Sequence, residues 1–359
     1  MNVCPSMGEK RSMTDRESVF HPHRPARAGR PARRRPRGAA ALALLCAGLV
    51  PAAGSAAAQT YPSKTVTFVV GYAPGGTGDV VARLVAQKLS GALGRPVVVE
   101  NRAGASGGIA AQGVARAAPD GHTILVGQSA EIAINPHWVR GIAYDPRRDF
   151  QPVALGVVVP LGLVVPAKAP HATLGELVAA ARASKQGLSF ASAGTGTPSQ
   201  FAGELLKMRT RGNMLHVPYK GAGPALNDIL GGHVDFYFPG LPAALGHVRS
   251  GQMKLLAVSS AAPSSSAPGV PTVAEAADLP GFDITLWVGF FAPRGTPAEI
   301  VARLNGEINT ILSDPETRDR LIAEGAEVSP MTVERFTAFA GAESEKYARI
   351  IKDTGIKPE

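Results

Sequence analysis

Two short stretches of this chain combine the residue types that hold an anion without a cationic side chain. The first is Phe68-Val-Val-Gly-Tyr-Ala-Pro-Gly-Gly-Thr-Gly-Asp79, a buried strand that breaks into a glycine-rich turn and opens directly onto a helix. The first N–H groups of a helix have no partner inside it, and the macrodipole places about half a positive charge there. Glycines at 75, 76 and 78 remove the side chains that would keep a ligand from those donors. Tyr72, Ala73, Pro74, Gly75, Gly76, Thr77 and Asp79 are therefore candidate binding residues. Asp79 can cap free N–H groups or meet an ammonium or hydroxyl group of a ligand. The second stretch, Leu188-Ser-Phe-Ala-Ser-Ala-Gly-Thr-Gly-Thr-Pro198, repeats the design, and Ser192, Thr195 and Thr197 offer hydroxyl donors beside Ala193, Gly194 and Gly196.

Other chemistries lack their residues. Neither turn has G-x-G-x-x-G or G-x-x-x-x-G-K-[ST] spacing, so dinucleotide and P-loop readings fail. The histidines show no metal-ligand spacing, and Ser129 in Gly127-Gln-Ser-Ala130 lacks the second glycine of a nucleophile elbow. No cofactor or metal is expected. Lys220, in His216-Val-Pro-Tyr-Lys-Gly221, reads as a solvated lysine at a strand end, and Trp287 as core or hinge packing.

The elements that must position the turns alternate as β-rich runs and helical patterns, the signature of βαβ units and a largely parallel sheet. Strands are expected over 66–72, 96–100 and 123–127, with helices over 79–93 and 107–117 between them. In the first helix, Val81, Leu84, Val85 and Leu89 share one face. The apolar run 153–165 reads as a buried strand pair or crossover, because Gly and Pro interrupt it and it is too short to span a membrane. A second α/β set follows. Thr173-Leu-Gly-Glu176 is a capping box opening a helix over 174–183, and strands over 188–192, 215–219 and 234–238 enclose helices from 198 and over 224–230. Strands over 253–259 and 284–291 then lead back, Thr296-Pro-Ala-Glu299 starts another helix with Pro at its first position, and helices run on to Thr354. The fold class is thus α/β, with two lobes joined by a hinge and a ligand cleft between them. The expected division is 1–58 as leader, 59–160 as the first part of lobe 1, 161–282 as lobe 2 and 283–359 as the return to lobe 1.

The formal charge of +9 invites a nucleic-acid reading, but residues 1–58 hold 10 of the 37 Lys and Arg and only 3 of the 28 Asp and Glu. The remainder carries 27 basic against 25 acidic residues, a net of +2, and no nucleic-acid partner is expected. The stretch itself has the layout of a secretory signal peptide: Arg30 to Arg37 basic, Ala39 to Val50 apolar, and small residues ending at Ala58, where cleavage is expected. Both cysteines, Cys4 and Cys46, fall inside it, so the mature chain has no thiol for a disulfide, a nucleophile or a metal. An exported protein of a Gram-negative periplasm is the simplest reading.

From Tyr61 to Ile356 the chain resembles the periplasmic receptors of tripartite tricarboxylate transporters, the Bug family. The resemblance is carried by Tyr61-Pro-Ser-Lys64, Ala73-Pro-Gly-Gly76 with Asp79, Val97-Val-Val-Glu-Asn-Arg102, Ala118-Pro-Asp-Gly121, Tyr144-Asp-Pro146, Ala191-Ser-Ala-Gly194, His216-Val-Pro-Tyr-Lys-Gly221 and Ala292-Pro293 with Gly295-Thr-Pro297. It implies a type 2 periplasmic-binding-protein fold that closes on a small carboxylate held mainly by backbone groups of the two glycine turns. It also implies Ser129 as a further contact, integral membrane transporter subunits as partners, a monomer, and no catalysis. One departure is Gln200, where relatives often carry His; it is expected to alter the polar contacts around the ligand. A receptor that presents its ligand to a sensor system and an exported α/β enzyme acting on a carboxylated substrate are the competing readings. The second needs a nucleophile and base that the mature chain does not pair.

Overall fold

A computed structural model describes residues 61–357. The expected leader and both cysteines lie outside the described residues. The first β-rich run forms β1 (Val66–Val70), and the turn after it opens into helix α1 (Thr77–Leu93). Val81, Val85 and Leu89 of α1 are buried, as their spacing demands. Burying each such side chain is worth roughly 1.5–3 kcal/mol. There follow β2 (Val97–Asn101), α2 (Gly108–Ala115), β3 (Thr123–Gln128), a π turn (Ala130–Ile134) and the short helices α3 (Asn135–Trp138) and α4 (Pro146–Asp149). The apolar run resolves into two strands, β4 (Phe150–Pro160) and β5 (Gly162–Pro166), with only Leu161 between them.

The second set comprises α5 (Leu174–Ala183), β6 (Leu188–Ser192), α6 (Pro198–Thr210), β7 (Met214–Pro218), α7 (Ala222–Gly231), β8 (Phe236–Tyr237), α8 (Leu241–Arg249), β9 (Met253–Val258) and α9 (Val273–Ala276). Then come β10 (Thr285–Pro293), α10 (Ala298–Ser313), α11 (Pro315–Ala323) and α12 (Val333–Thr354). Two five-stranded sheets result, ordered β2-β1-β3-β10-β4 and β7-β6-β8-β5-β9. Pairings of β1 with β2 and β3, and of β6 with β7 and β8, are parallel. The sheets are more mixed than expected: β10 runs antiparallel to β3 and β4, and β5 antiparallel to β8 and β9. β4, β5, β9 and β10 are the strands flanking the two crossings between sheets.

Local chemistry sets several boundaries. Thr173 caps α5 by accepting from Glu176 N–H, but the Glu176 carboxylate reaches Ala172 N–H rather than closing the box on Thr173. The expected strand 234–238 shortens to β8; just before it, Asp235 N–H donates to Ser189 O and the Asp235 carboxylate accepts from both the N–H and the hydroxyl of Ser189. Pro297 stands just before α10 rather than at its first position.

The chain crosses between sheets at Leu161 and again over 259–284. Buried Ser259 joins the two crossings. Its N–H donates to Leu161 O at 2.8 Å, and Ile284 N–H donates to Ser259 O at 2.9 Å. Its hydroxyl accepts from Leu161 N–H and donates to Ile284 O. Aromatic contacts also link the lobes: Phe201 of α6 meets Trp138 at 5.4 Å and Tyr347 of α12 at 5.6 Å, both edge to face.

Candidate functional site

Both glycine turns open on one cavity of about 450 Å³ between the sheets. Tyr72, Gly75, Gly76 and Thr77 contribute from the first turn, Ala193 and Thr197 from the second. The helix that follows the first turn behaves as its sequence suggests. Val80 N–H makes the first backbone bond of α1, to Gly76 O, so the N–H groups of Gly76, Thr77 and Gly78 have no acceptor among the described residues. Gly75 has φ +88°, a conformation that favours glycine.

Asp79 organises the turn and does not line the cavity. Its carboxylate accepts from Gly75 N–H at 2.9 Å, pairs with both Nε and a terminal nitrogen of Arg83, and accepts from Asn101. Burial pushes its carboxyl upward, but Arg83, Gly75 and Asn101 together hold it below its ordinary value. Both oxygens are thus engaged within the protein: Asp79 fastens Gly75, Arg83 and Asn101 together and makes no side-chain cap at the start of α1. Ala73 and Pro74 form the exposed back of the turn and also stay off the cavity wall.

The second turn differs from expectation. The hydroxyls of Ser192 and Thr197 both donate to Gly194 O, while Gly194 N–H donates back to Ser192 and Ala193 N–H donates to Ser199. Gln200 is buried within α6, off the cavity wall, and its side chain accepts from Gly196 N–H at 2.8 Å. Where a change in ligand contacts was expected, Gln200 forms a brace inside the loop. Gly194, Thr195 and Gly196 do not line the cavity; Gly196 rests against Trp138, where a Cβ would lie 3.1 Å from the indole. Lys220 is exposed and away from the cavity wall, and Trp287 is core, donating to Glu343 at 3.1 Å.

Ser129 is fully buried, its hydroxyl meets no partner among the described residues, and it is not on the cavity wall. Its neighbour Gln128 is, and sequence reasoning missed it. A Cβ on Gly78 would stand 2.8 Å from Gln128 Nε2, so the amide lies across the start of α1, in the space that the glycine leaves. Behind it sits Glu131, fully buried. Its carboxylate accepts from Gln128 N–H and from the Tyr72 hydroxyl, each at 2.8 Å, and so fixes a wall residue at the end of β3 and one in the first glycine turn. Burial pushes Glu131 up to about 7, against the opposing effect of these hydrogen bonds. Further walls that the sequence did not reveal are Leu161 at the crossing, Ser199, Tyr237, Leu286, the start of α8 and the stretch from Leu321 to Ala326. Only Ser199 carried a local signal, beside the second turn.

A larger cavity of about 950 Å³ lies beyond the π turn, walled by Ile132, Tyr144, Arg147, Arg294 and Ser344. None of the expected binding residues faces it, so the glycine turns and not size identify the candidate site. Among the described residues no cluster of three or more His, Cys, Asp and Glu is placed to hold a metal, and no helix is long and apolar enough to cross a membrane.

Comparison with known proteins identifies the family and the fold. BugT of Bordetella pertussis is 36% identical over 306 residues, covering 85% of this chain and 94% of BugT. The R. palustris protein Rpa4515, solved with adipate, superposes with a TM-score of 0.77 at 34% identity, covering 83% of this chain and all of that one. MatC from Rhodopseudomonas palustris, solved with malate, gives 0.73 at 35%, covering 81% of this chain and all of that one. The type 2 periplasmic-binding-protein fold of two α/β lobes follows from these likenesses. Residues 81–356 match the family model described as tripartite tricarboxylate transporter family receptor, and the chain belongs to that family.

Proposed function

We propose that this protein is an exported receptor that closes its two lobes on a small organic carboxylate and delivers it to the membrane subunits of a tripartite tricarboxylate-type transporter. The observation that carries the reading is the pair of unpartnered N–H groups at Gly76 and Thr77, which line a cavity shared by both glycine turns. A carboxylate there gains roughly 0.3–1 kcal/mol from the helix terminus when exposed and up to about 2 when partly buried. Water exclusion on closure strengthens these contacts. Gln128 adds an amide beside the same terminus. The adipate and malate held by the two R. palustris relatives support a carboxylate head group.

The mature chain begins after Ala58, works in the periplasm as a monomer and leaves its ligand chemically unchanged. Residues 59–160 and 283–359 form one lobe, and 161–282 the other. The closed form is the state that the membrane partners recognise, a population shift driven by the ligand's differential affinity. Calorimetry and thermal unfolding with a panel of carboxylates test the reading: a ligand at about 100 times its dissociation constant adds roughly 2.7 kcal/mol of stability. Stabilisation by no carboxylate, or turnover of one, refutes it.

A further inference from the structure

We infer that the cavity of about 950 Å³ beyond the π turn is a second ligand site, separate from the cleft, that takes an amphipathic carboxylate with its anionic head at the mouth and its apolar body inside. The two cavities share no wall residue, so the inference stands apart from the receptor reading. Small-molecule sites run to roughly 300–1,000 Å³, and this volume falls among them. The walls come from the start of β4, the end of β10, the segment from α3 through α4, and one face of α12. Inside, Tyr144, Phe150 and Phe291 are buried and stand in a row, with neighbouring ring centroids 6.2 and 6.3 Å apart. The Tyr144 hydroxyl is spent on Glu131 O, which leaves its ring as the part offered to the cavity. Ile132 and Ala340 extend this apolar surface.

The mouth is basic. Arg147, Arg148 and Arg294 are exposed on the same wall, where Asp145 and Glu345 are the acidic residues, so the wall carries a net positive charge. Those acids compensate poorly. Asp145 is occupied with the backbone N–H groups of Arg147 and Arg148, and Glu345 meets Arg147 at 3.3 Å with both side chains 62% exposed, a pair that solvent screens. The Arg294 side chain makes no ion pair or hydrogen bond among the described residues. The charge of Arg147 is also felt by His137 on the same wall, which bonds Ser344 at 2.8 Å: partial desolvation and then Arg147 hold the imidazole below its ordinary value. Guanidinium groups match a carboxylate with two parallel N–H donors. A bare carboxylate at this exposed mouth is screened by water, and a neutral hydrocarbon leaves the arginines unanswered. A ligand with both parts gains at the mouth and, in proportion to the apolar area it covers, at the aromatic row.

The probe is octanoate, with acetate supplying the head alone and octanamide the body alone. Titration calorimetry at about pH 7.5 keeps both carboxyls ionised, and Gly76→Val blocks the cleft so that the second site is read by itself. Octanoate is expected to bind that variant at a single site, at least about tenfold more tightly than acetate or octanamide. Two substitutions locate the site. A Cβ added at Gly341, on the α12 wall, meets nothing within 4 Å, so Gly341→Phe fills the cavity without a backbone clash. Arg294→Glu reverses an exposed charge and keeps the test open if the phenylalanine disturbs α12. Each is expected to weaken octanoate binding at least about tenfold. Absence of octanoate binding to the Gly76→Val protein, or binding that either substitution leaves unchanged in a folded chain, overturns the inference and leaves the receptor reading intact. Octanamide or acetate binding as tightly as octanoate overturns it as well, because the site would then read only one part of the ligand.

Discussion

The substitution Glu131→Gln should change how stability depends on pH, and the size of the change follows from the burial of one carboxyl. Glu131 is fully enclosed, with Tyr72 and the Gln128 backbone on its oxygens, Tyr144 donating to its carbonyl, and Gly107 packed so closely that a Cβ there would lie 2.5 Å from Cδ. The tyrosines around it are themselves pushed upward, chiefly by burial, so the carboxyl is the group that titrates in the neutral range. In the unfolded chain it titrates near its ordinary 4.5, and in the native state at about 7. Between those values the native state keeps a proton that the unfolded chain has released. Its contribution to stability is therefore complete below 4.5, falls as pH rises through about 7, and is level above that. At about 1.4 kcal/mol for each pH unit, the loss is about 3 kcal/mol. The glutamine of the variant stays neutral, while its amide can still accept from Gln128 N–H and donate to the Tyr72 oxygen. Urea unfolding of both proteins from about pH 4 to about pH 8 should show the variant gaining on the wild type by about 3 kcal/mol across the series. A difference that stays constant to within about 0.5 kcal/mol would refute the reasoning, because it would mean that Glu131 titrates as an exposed carboxyl does.

Three further substitutions probe the turns and their support. Gly76 has an ordinary φ of −77°, and a Cβ added there would meet nothing closer than Ala73 O at 3.8 Å. Gly76→Val should therefore leave thermal unfolding unchanged while covering the free N–H groups and weakening carboxylate binding about 100-fold by calorimetry. Gly107→Ala places a Cβ on the Glu131 carboxyl at a φ of +82° and should cost about 2–4 kcal/mol in urea unfolding. Gln200→Ala leaves Gly196 N–H without its acceptor and should cost about 1–3 kcal/mol in the same assay, with less than a tenfold effect on carboxylate affinity. Unchanged affinity in the first, or unchanged stability in either of the others, contradicts the role assigned.

What the sequence made legible was the part encoded locally. Strands rich in Val, Ile and Phe, the amphipathic face of α1 and both strand-to-helix turns could be read because each depends on neighbours a few residues apart. Helix α8 was hidden by Pro242 and Gly246. At the candidate site the two turns were legible, but the state of their donors was not: whether Ser192 and Thr197 face a ligand or their own loop depends on where Gly194 O points. Asp79 could be recognised as a residue at the mouth of a helix, yet its engagement by Asn101 requires the end of β2 to lie beside it. Glu131 carried no signal, because its role arises where Tyr72, Gln128 and Gly107 converge. Leu321 to Ala326 reach the cleft only through the return of the C-terminal helices.

Ser259 has a mechanical consequence. With one backbone N–H, one carbonyl and one hydroxyl it fastens both crossing segments to each other, so the two act as a single pin. Sliding one lobe along the other would part these buried bonds, at about 1–3 kcal/mol for each group left unsatisfied. Rotation about the line through Leu161, Ser259 and Ile284 leaves them intact. Among rigid motions of the lobes, such a rotation is the one that spares the bonds of Ser259.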